Sequence, residues 1–183
     1  GKPLAKIGGH PMIEHVYRRV LKTPGLNEKN VLIATDDDRI FEAVSAFGGT
    51  CVMTGNCRTG TDRVRQAVNG IPCDVVLNVQ GDEPLIDPLC LAGLLEVFDD
   101  ASVEMATLRR PLESGEREDP NTVKLVCALN GDALYFSRSA IPFLRKVPCP
   151  CFAHVGVYAY RRDFLFRMSD MPSTPLEMAE SLE

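Results

Sequence analysis

The sequence has little that would suit it to a membrane or to nucleic acid. No apolar stretch approaches the length that spans a bilayer, and no basic run of five or more residues occurs. Lys and Arg number 20 against 25 Asp and Glu, giving a net charge of −5. A polyanion-binding surface and an integral membrane protein are therefore not expected. The opening Gly1-Lys2-Pro3-Leu4-Ala5-Lys6 has no signal-peptide core, so a cytoplasmic location is expected. It also lacks an initiator Met, so the chain is not expected to begin where its gene does. Long linkers, low-complexity tracts and internal repeats are missing too. With 183 residues and 45% hydrophobic content, the chain can bury one substantial core, and a single domain over residues 1–183 is expected. Gly8-Gly9 is not part of a G-x-G-x-x-G fingerprint, so no motif supports a dinucleotide-binding dehydrogenase.

Cysteine is present, but not as a disulfide framework. There are seven, an odd number, and several sit in apolar stretches such as Leu125-Val126-Cys127. Buried thiols in a reducing compartment are the expectation. Cys149-Pro150-Cys151 is the one close pair, and C-x-C without nearby partners makes a weak zinc site.

What is present is an alternation of helices and strands. Pro11 suits a first helical turn, and Met12, Ile13, Val16, Tyr17, Val20 and Leu21 follow at helical spacing. A strand is predicted at 31–34, then Thr35-Asp36-Asp37-Asp38 as helix-capping oxygens, then a helix carrying Ile40, Phe41, Val44 and Phe47 up to Gly48-Gly49. The cycle repeats with a strand at 51–53, a helix at 62–69, a strong strand at 75–79 and a helix opened by Pro88. This rhythm predicts an α/β fold with a mostly parallel sheet covered by helices on both faces. Beyond Val103 it gives way to a β-rich elaboration. Strands are predicted at 105–108, 123–129, 133–136 and 154–160, with a turn at Asn130-Gly131-Asp132, a loop over 113–121 and a helix over 162–168.

Asn78-Val79-Gln80-Gly81-Asp82-Glu83-Pro84 puts an amide and carboxylates just past the carboxyl end of the strongest strand, where open α/β sheets bind ligands. Gly81 permits close backbone approach, and Asp82 is a hard oxygen donor suited to Mg²⁺. The competing reading makes Asp82 a turn residue or cap. Lys2 offers a point charge to a phosphate, or is a surface lysine. Thr59-Gly60-Thr61-Asp62-Arg63 enters a helix whose amides can take an anion, although ordinary N-capping explains it as well. Arg138 can clamp a carboxylate or simply lie at the surface. His154 starts an alternating strand containing Tyr158, with no nucleophile arrangement around it; His10 and His15 read as surface residues.

Together these motifs resemble the 3-deoxy-manno-octulosonate cytidylyltransferase (CMP-KDO synthetase) family along essentially the whole chain. The resemblance is carried by Gly1 to Gly9, Ala34-Thr35-Asp36-Asp37, Phe47-Gly48-Gly49, Val52-Met53-Thr54, Gly60-Thr61-Asp62-Arg63 and Asn78 to Leu85. Ala133 to Arg138, Ile141-Pro142, His154 to Tyr158 and Pro175-Leu176-Glu177 follow in the family's order. It implies a Rossmann-like nucleotidyltransferase fold and the conversion of CTP and KDO to CMP-KDO and pyrophosphate for lipopolysaccharide biosynthesis. It also implies that Asp82 holds Mg²⁺, that Lys2 meets the triphosphate and that Gln80 lies between nucleotide and sugar. Thr59, Gly60, Thr61 and Arg63 would lie near the nucleotide, Arg138 would bind the KDO carboxylate, and His154, Tyr158 and Glu183 would line the sugar pocket. A homodimer is implied, with Phe143 and Phe152 in the β-rich part as interface candidates.

Three departures stand against the family pattern. The family has an apolar strand and two arginines before Gly-Lys-Pro, and it continues past Leu182-Glu183 to a second metal-binding Asp. The segment between Arg138 and His154 is also short, with Ala153 where a basic residue is common. Residues 1–183 alone are therefore expected to show little or no turnover, and the intact parent to be active. Two other readings stay open: a relative acting on a different acceptor sugar, and a module that binds nucleotide without chemistry.

Overall fold

Pro11 presets the backbone for a helix, and the apolar residues behind it recur three and four apart. The computed structural model, which describes residues 1–182, shows the consequence. After a 3₁₀ turn at Lys2–Leu4 come two short antiparallel strands, β1 (Lys6–Ile7) and β2 (His10–Pro11), and then helix α1 (Met12–Val20). Ile13, Val16, Tyr17 and Val20 are buried on α1 as the periodicity requires. Glu14 is buried as well, held by Arg18 at 2.8 Å and His10 at 3.1 Å.

The chain forms two compact units. The first comprises Gly1–Ala106 and Val157–Met171. In it, β3 (Ile33–Thr35) pairs parallel with β4 (Cys51–Met53), and helix α2 (Asp38–Ala46) connects them. Asp37 caps α2 by accepting from the Arg39 N–H, within the oxygen cluster the sequence offers. Helix α3 covers Gly60–Ala67, β5 covers Val75–Asn78, and helix α4 covers Pro88–Glu96, capped by Asp87. Strand β6 (Met105–Pro111) crosses into the second unit, and the second half of β9 (Phe152–Arg161) returns to the first, followed by helix α5 (Arg162–Ser169). Val68, Val76, Tyr160 and Leu165 form a buried cluster on this side of the fold. Each such fully buried aliphatic side chain contributes about 1.5–3 kcal/mol.

The second unit comprises Thr107–Gly156 and the segment from Pro172. Strands β7 (Lys124–Cys127) and β8 (Ala133–Ser137) form an antiparallel hairpin around Asn130-Gly131-Asp132, and Gly131 takes φ 98 at its tip. The first half of β9 pairs antiparallel with β7, placing Leu125 opposite Phe152. Helix α6 (Pro175–Glu180) is closed by a capping box between Thr174 and Glu177.

The α/β character is as expected, with differences of detail. Among the described ladders, parallel pairing is confined to β3 with β4. β5 instead runs antiparallel to β9, with Asn78 opposite Tyr158. Helix α3 starts two residues earlier than predicted, because the Thr59 hydroxyl accepts from the Asp62 N–H at 3.0 Å. The predicted loop at 113–121 contains a 3₁₀ turn at Glu116–Glu118. The cysteines are free thiols, as expected, but none is fully buried, and Cys90 and Cys149 are exposed. Cys51 in β4 and Cys127 in β7 are half-buried, so apolar neighbours in sequence did not guarantee burial. No helix among the described residues is long and apolar enough to cross a membrane.

Candidate active site

Strand β5 ends at Asn78, and the chain turns at once: the Glu83 N–H donates to the Gln80 carbonyl at 3.2 Å. That turn carries Asp82 outward, leaving its carboxylate 49% exposed. The 3₁₀ turn at the start of the chain brings Lys2 to the same place, with Nζ 3.9 Å from Asp82 Oδ2. Two residues eighty positions apart in sequence, each ambiguous alone, thus meet. Gly81 makes the approach feasible, since a Cβ there would stand 3.3 Å from Ile13 Cδ1 and 3.8 Å from Pro3.

Gln80 reaches the start of α3: a Cβ on Gly60 would lie 3.5 Å from Gln80 Nε2. Thr59 caps that helix and Thr61 is buried beside it. Arg63, one turn in, donates to Thr54 Oγ1 at 2.6 Å and Asp36 Oδ2 at 2.8 Å. The Arg63 guanidinium in turn holds the Asp36 carboxyl below its ordinary range. Arg63 therefore ties the ends of β3 and β4 to α3, a role its sequence motif did not disclose.

Several of these pieces, Asp36, Gly60, Arg63, Gln80 and Gly81, line a cleft of about 650 Å³ in the first unit, and Lys2 and Asp82 are the chain neighbours of its Pro3 and Gly81. Pro3, Asp36, Gly60, Arg63, Gln80 and Gly81 supply its polar rim, with Val16, Tyr17, Val64 and Val76 among its apolar lining. An apolar floor with a few convergent polar groups is the usual form of a small-molecule site. Asn78, which opens the stretch singled out in the sequence but received no role of its own there, also lines the cleft; it is 5% exposed, and its Nδ2 has no hydrogen-bond partner among the described residues. Its place at the carboxyl end of the strongest strand was the signal available. Tyr158 sits opposite Asn78 in the ladder, its ring stacked on Tyr160 at 6.0 Å. Asp82 fits a divalent cation in donor chemistry and access: a carboxylate is a hard oxygen donor, and this one is half exposed.

The remaining expected residues lie in the second unit. His154 Nε2 is 2.9 Å from Thr107 Oγ1, and its ring meets Phe136 edge-on at 5.0 Å. Burial pushes its pKa down from 6.5 to about 4, so it is a neutral hydrogen-bonding group near neutral pH. A folded-state pKa below the unfolded value means that the unfolded chain binds the extra proton between those limits. Stability is therefore full above pH 6.5 and expected to fall by on the order of 3 kcal/mol as pH drops to about 4. Denaturant unfolding across that range checks it, and His154→Gln should flatten the slope. An equal slope in the variant would refute the assignment.

The Arg138 guanidinium is not a free surface group. It donates to three main-chain carbonyls: from Nε to Glu180 at 2.6 Å, from Nη1 to Pro120 at 2.9 Å and from Nη2 to Ser181 at 3.1 Å. Glu183 lies outside the described residues. Of the interface candidates, Phe143 is 84% exposed, whereas Phe152 is half-buried beneath Arg109, whose Cζ is 4.1 Å from the ring centroid.

A family model described as cytidylyltransferase matches residues 1–183. A 3-deoxy-manno-octulosonate cytidylyltransferase of Myxococcus xanthus is 54% identical, the match covering all of this chain and 75% of that protein. An 8-amino-3,8-dideoxy-manno-octulosonate cytidylyltransferase of Shewanella amazonensis is 46% identical over all of this chain and 77% of its own length. Among solved structures, a CMP:2-keto-3-deoxy-manno-octonic acid synthetase complexed with CTP superposes with a TM-score of 0.93 at 45% identity, covering all of this chain and 76% of that one.

Proposed function

The chain belongs to the cytidylyltransferase family, and on that premise we propose that it transfers CMP from CTP to KDO, releasing pyrophosphate, as a step in lipopolysaccharide biosynthesis. The observation that carries the reading is the approach of Lys2 and Asp82 to 3.9 Å, each the chain neighbour of a residue, Pro3 or Gly81, that lines the cleft with Gln80 and Gly60. A cation and a metal-binding carboxylate are what a triphosphate under nucleophilic attack requires. The chemistry is dominated by positioning and charge stabilisation, and no covalent intermediate is needed.

In this proposal the anomeric hydroxyl oxygen of the sugar bonds to the α-phosphorus of CTP as the bond to pyrophosphate breaks. Lys2 meets the triphosphate and offsets charge on the departing oxygens. Asp82 would hold Mg²⁺, which when bound supplies further neutralisation of the phosphates. Thr59, Gly60 and Thr61 form the anion-facing start of α3, Arg63 keeps that start registered to β3, and Gln80 contacts both substrates. Arg138 takes the sugar carboxylate, with neutral His154, Tyr158 and Glu183 contacting the sugar. The working protein is proposed to be a cytoplasmic homodimer.

A second reading concerns the acceptor, because the Shewanella amazonensis relative is named for an 8-amino sugar and is comparably similar. Steady-state turnover with CTP fixed, on KDO, its 8-amino analogue and neuraminic acid, separates them. KDO is expected to be preferred in kcat/KM by about tenfold or more over each rival. A preference for either rival would reassign the acceptor, and nucleotide binding without pyrophosphate release would leave only a binding module.

A further inference from the structure

An arginine that recognises an anion must be held still without being neutralised. A carboxylate partner orients a guanidinium but also occupies its fork, so an incoming anion has to displace it. Carbonyl partners orient it and leave its charge uncompensated.

Arg138 has the second arrangement. Among the described residues, all three of its side-chain bonds go to carbonyls, two of them contributed by the end of α6 at Glu180 and Ser181. No ion pair to Arg138 occurs among the described residues, and its bonds leave one N–H on each Nη unspent. The Glu180 carboxylate is close by, yet it is aimed elsewhere. Its Oε1 accepts from Ser137 Oγ at 2.6 Å and Tyr135 Oη at 3.1 Å, and its Oε2 accepts from the Arg138 backbone N–H at 2.8 Å. Ser137 is buried, so this bond sits at the shielded end of β8. The Ser137 hydroxyl first, and the Arg138 N–H next, hold the Glu180 carboxyl below its ordinary range. Helix α6 buries none of its own residues. Its attachment to β8 therefore rests on this side chain together with the Arg138 bonds to the Glu180 and Ser181 carbonyls.

We propose that Glu180 is a positioning residue for sugar binding: it fastens α6 to the end of β8 so that the α6 carbonyls hold the Arg138 guanidinium oriented with no carboxylate in its fork. The inference rests on the reading that Arg138 receives the sugar carboxylate. It adds a residue to which neither the sequence motifs nor the relatives' names assign a role, and it explains why an acidic side chain beside Arg138 does not block the site.

Steady-state kinetics on the full-length protein test it. Glu180→Gln is expected to raise KM for KDO about tenfold or more while KM for CTP stays within about twofold. In an Arg138→Met background the same change should have no further effect on the sugar KM, because there is no guanidinium left to orient. Ser137→Ala, which removes one donor and keeps Glu180, should shift the sugar KM in the same direction by a smaller factor, and it decides the matter if Glu180→Gln does not fold. An unchanged sugar KM, a parallel rise in both KM values, or additivity with Arg138→Met would overturn the proposal. An unaffected sugar KM in Arg138→Met alone would instead remove the reading beneath it, and the proposal with it.

Discussion

Asp82→Asn in the full-length protein is expected to reduce kcat for pyrophosphate release from CTP and KDO by about a thousandfold or more while leaving the unfolding midpoint unchanged. The two halves of this expectation have separate causes. Asn keeps the size and one acceptor oxygen of Asp but loses the negative charge, and a neutral amide oxygen is a poor ligand for a hard divalent cation. Charge stabilisation carries most of the barrier reduction in nucleotidyl transfer, so removing an anchor for it costs about three powers of ten or more. Stability should not follow, because the one ion pair Asp82 makes among the described residues is to an 83% exposed Lys2 at 3.9 Å. Exposed pairs of that kind contribute about 0–1 kcal/mol. Turnover within tenfold of the wild type would show that the carboxylate has no part in the chemistry.

The α/β layering was legible because it is written in local periodicity. The stripes of α1 and α2 and the apolar run of β5 each show themselves within about ten residues. The pairing partner of β5 was not legible. It is β9, some eighty residues further along, and an antiparallel ladder between them leaves no mark in either strand's own pattern. The early start of α3 could have been read from Thr59, and α6 from Thr174-Pro175-Leu176-Glu177, which is a capping box with Pro in its first turn.

The candidate site divides along the same line. Asp82, Gln80 and Gly81 follow the strongest strand, and that position points to ligand chemistry without any structure. What the sequence could not show is what each charged side chain is already bonded to. Arg63 is committed to Asp36 and Thr54, and Arg138 to three carbonyls, and these partners are between 9 and 43 residues away. Asn78 stood in the same stretch without a role of its own; its burial, and an amide nitrogen with no partner among the described residues, single it out.

Lys124→Met is expected to destabilise the second unit by about 3–5 kcal/mol, more than truncation of any single exposed ion pair in the protein. Lys124 is 0% exposed at the first position of β7, in a run of sequence otherwise apolar from Val123 to Cys127. Its Nζ donates to the carbonyls of Asp119 at 2.8 Å, Thr122 at 2.7 Å and Arg138. Methionine matches the stem in shape and fills the space, so the loss is not one of packing. It strands acceptors around an apolar tip, each costing about 1–3 kcal/mol where water cannot replace the donor. Because those carbonyls fix the turn at 119–122 and the main chain at Arg138, the damage should be local before it is global. Hydrogen exchange should accelerate first at the β7–β8 ladder and at the Arg138 N–H. Denaturant unfolding gives the magnitude. A loss below about 1 kcal/mol would mean that the three carbonyls find other donors, and that the buried lysine is a tolerated residue and not the fastening of this unit.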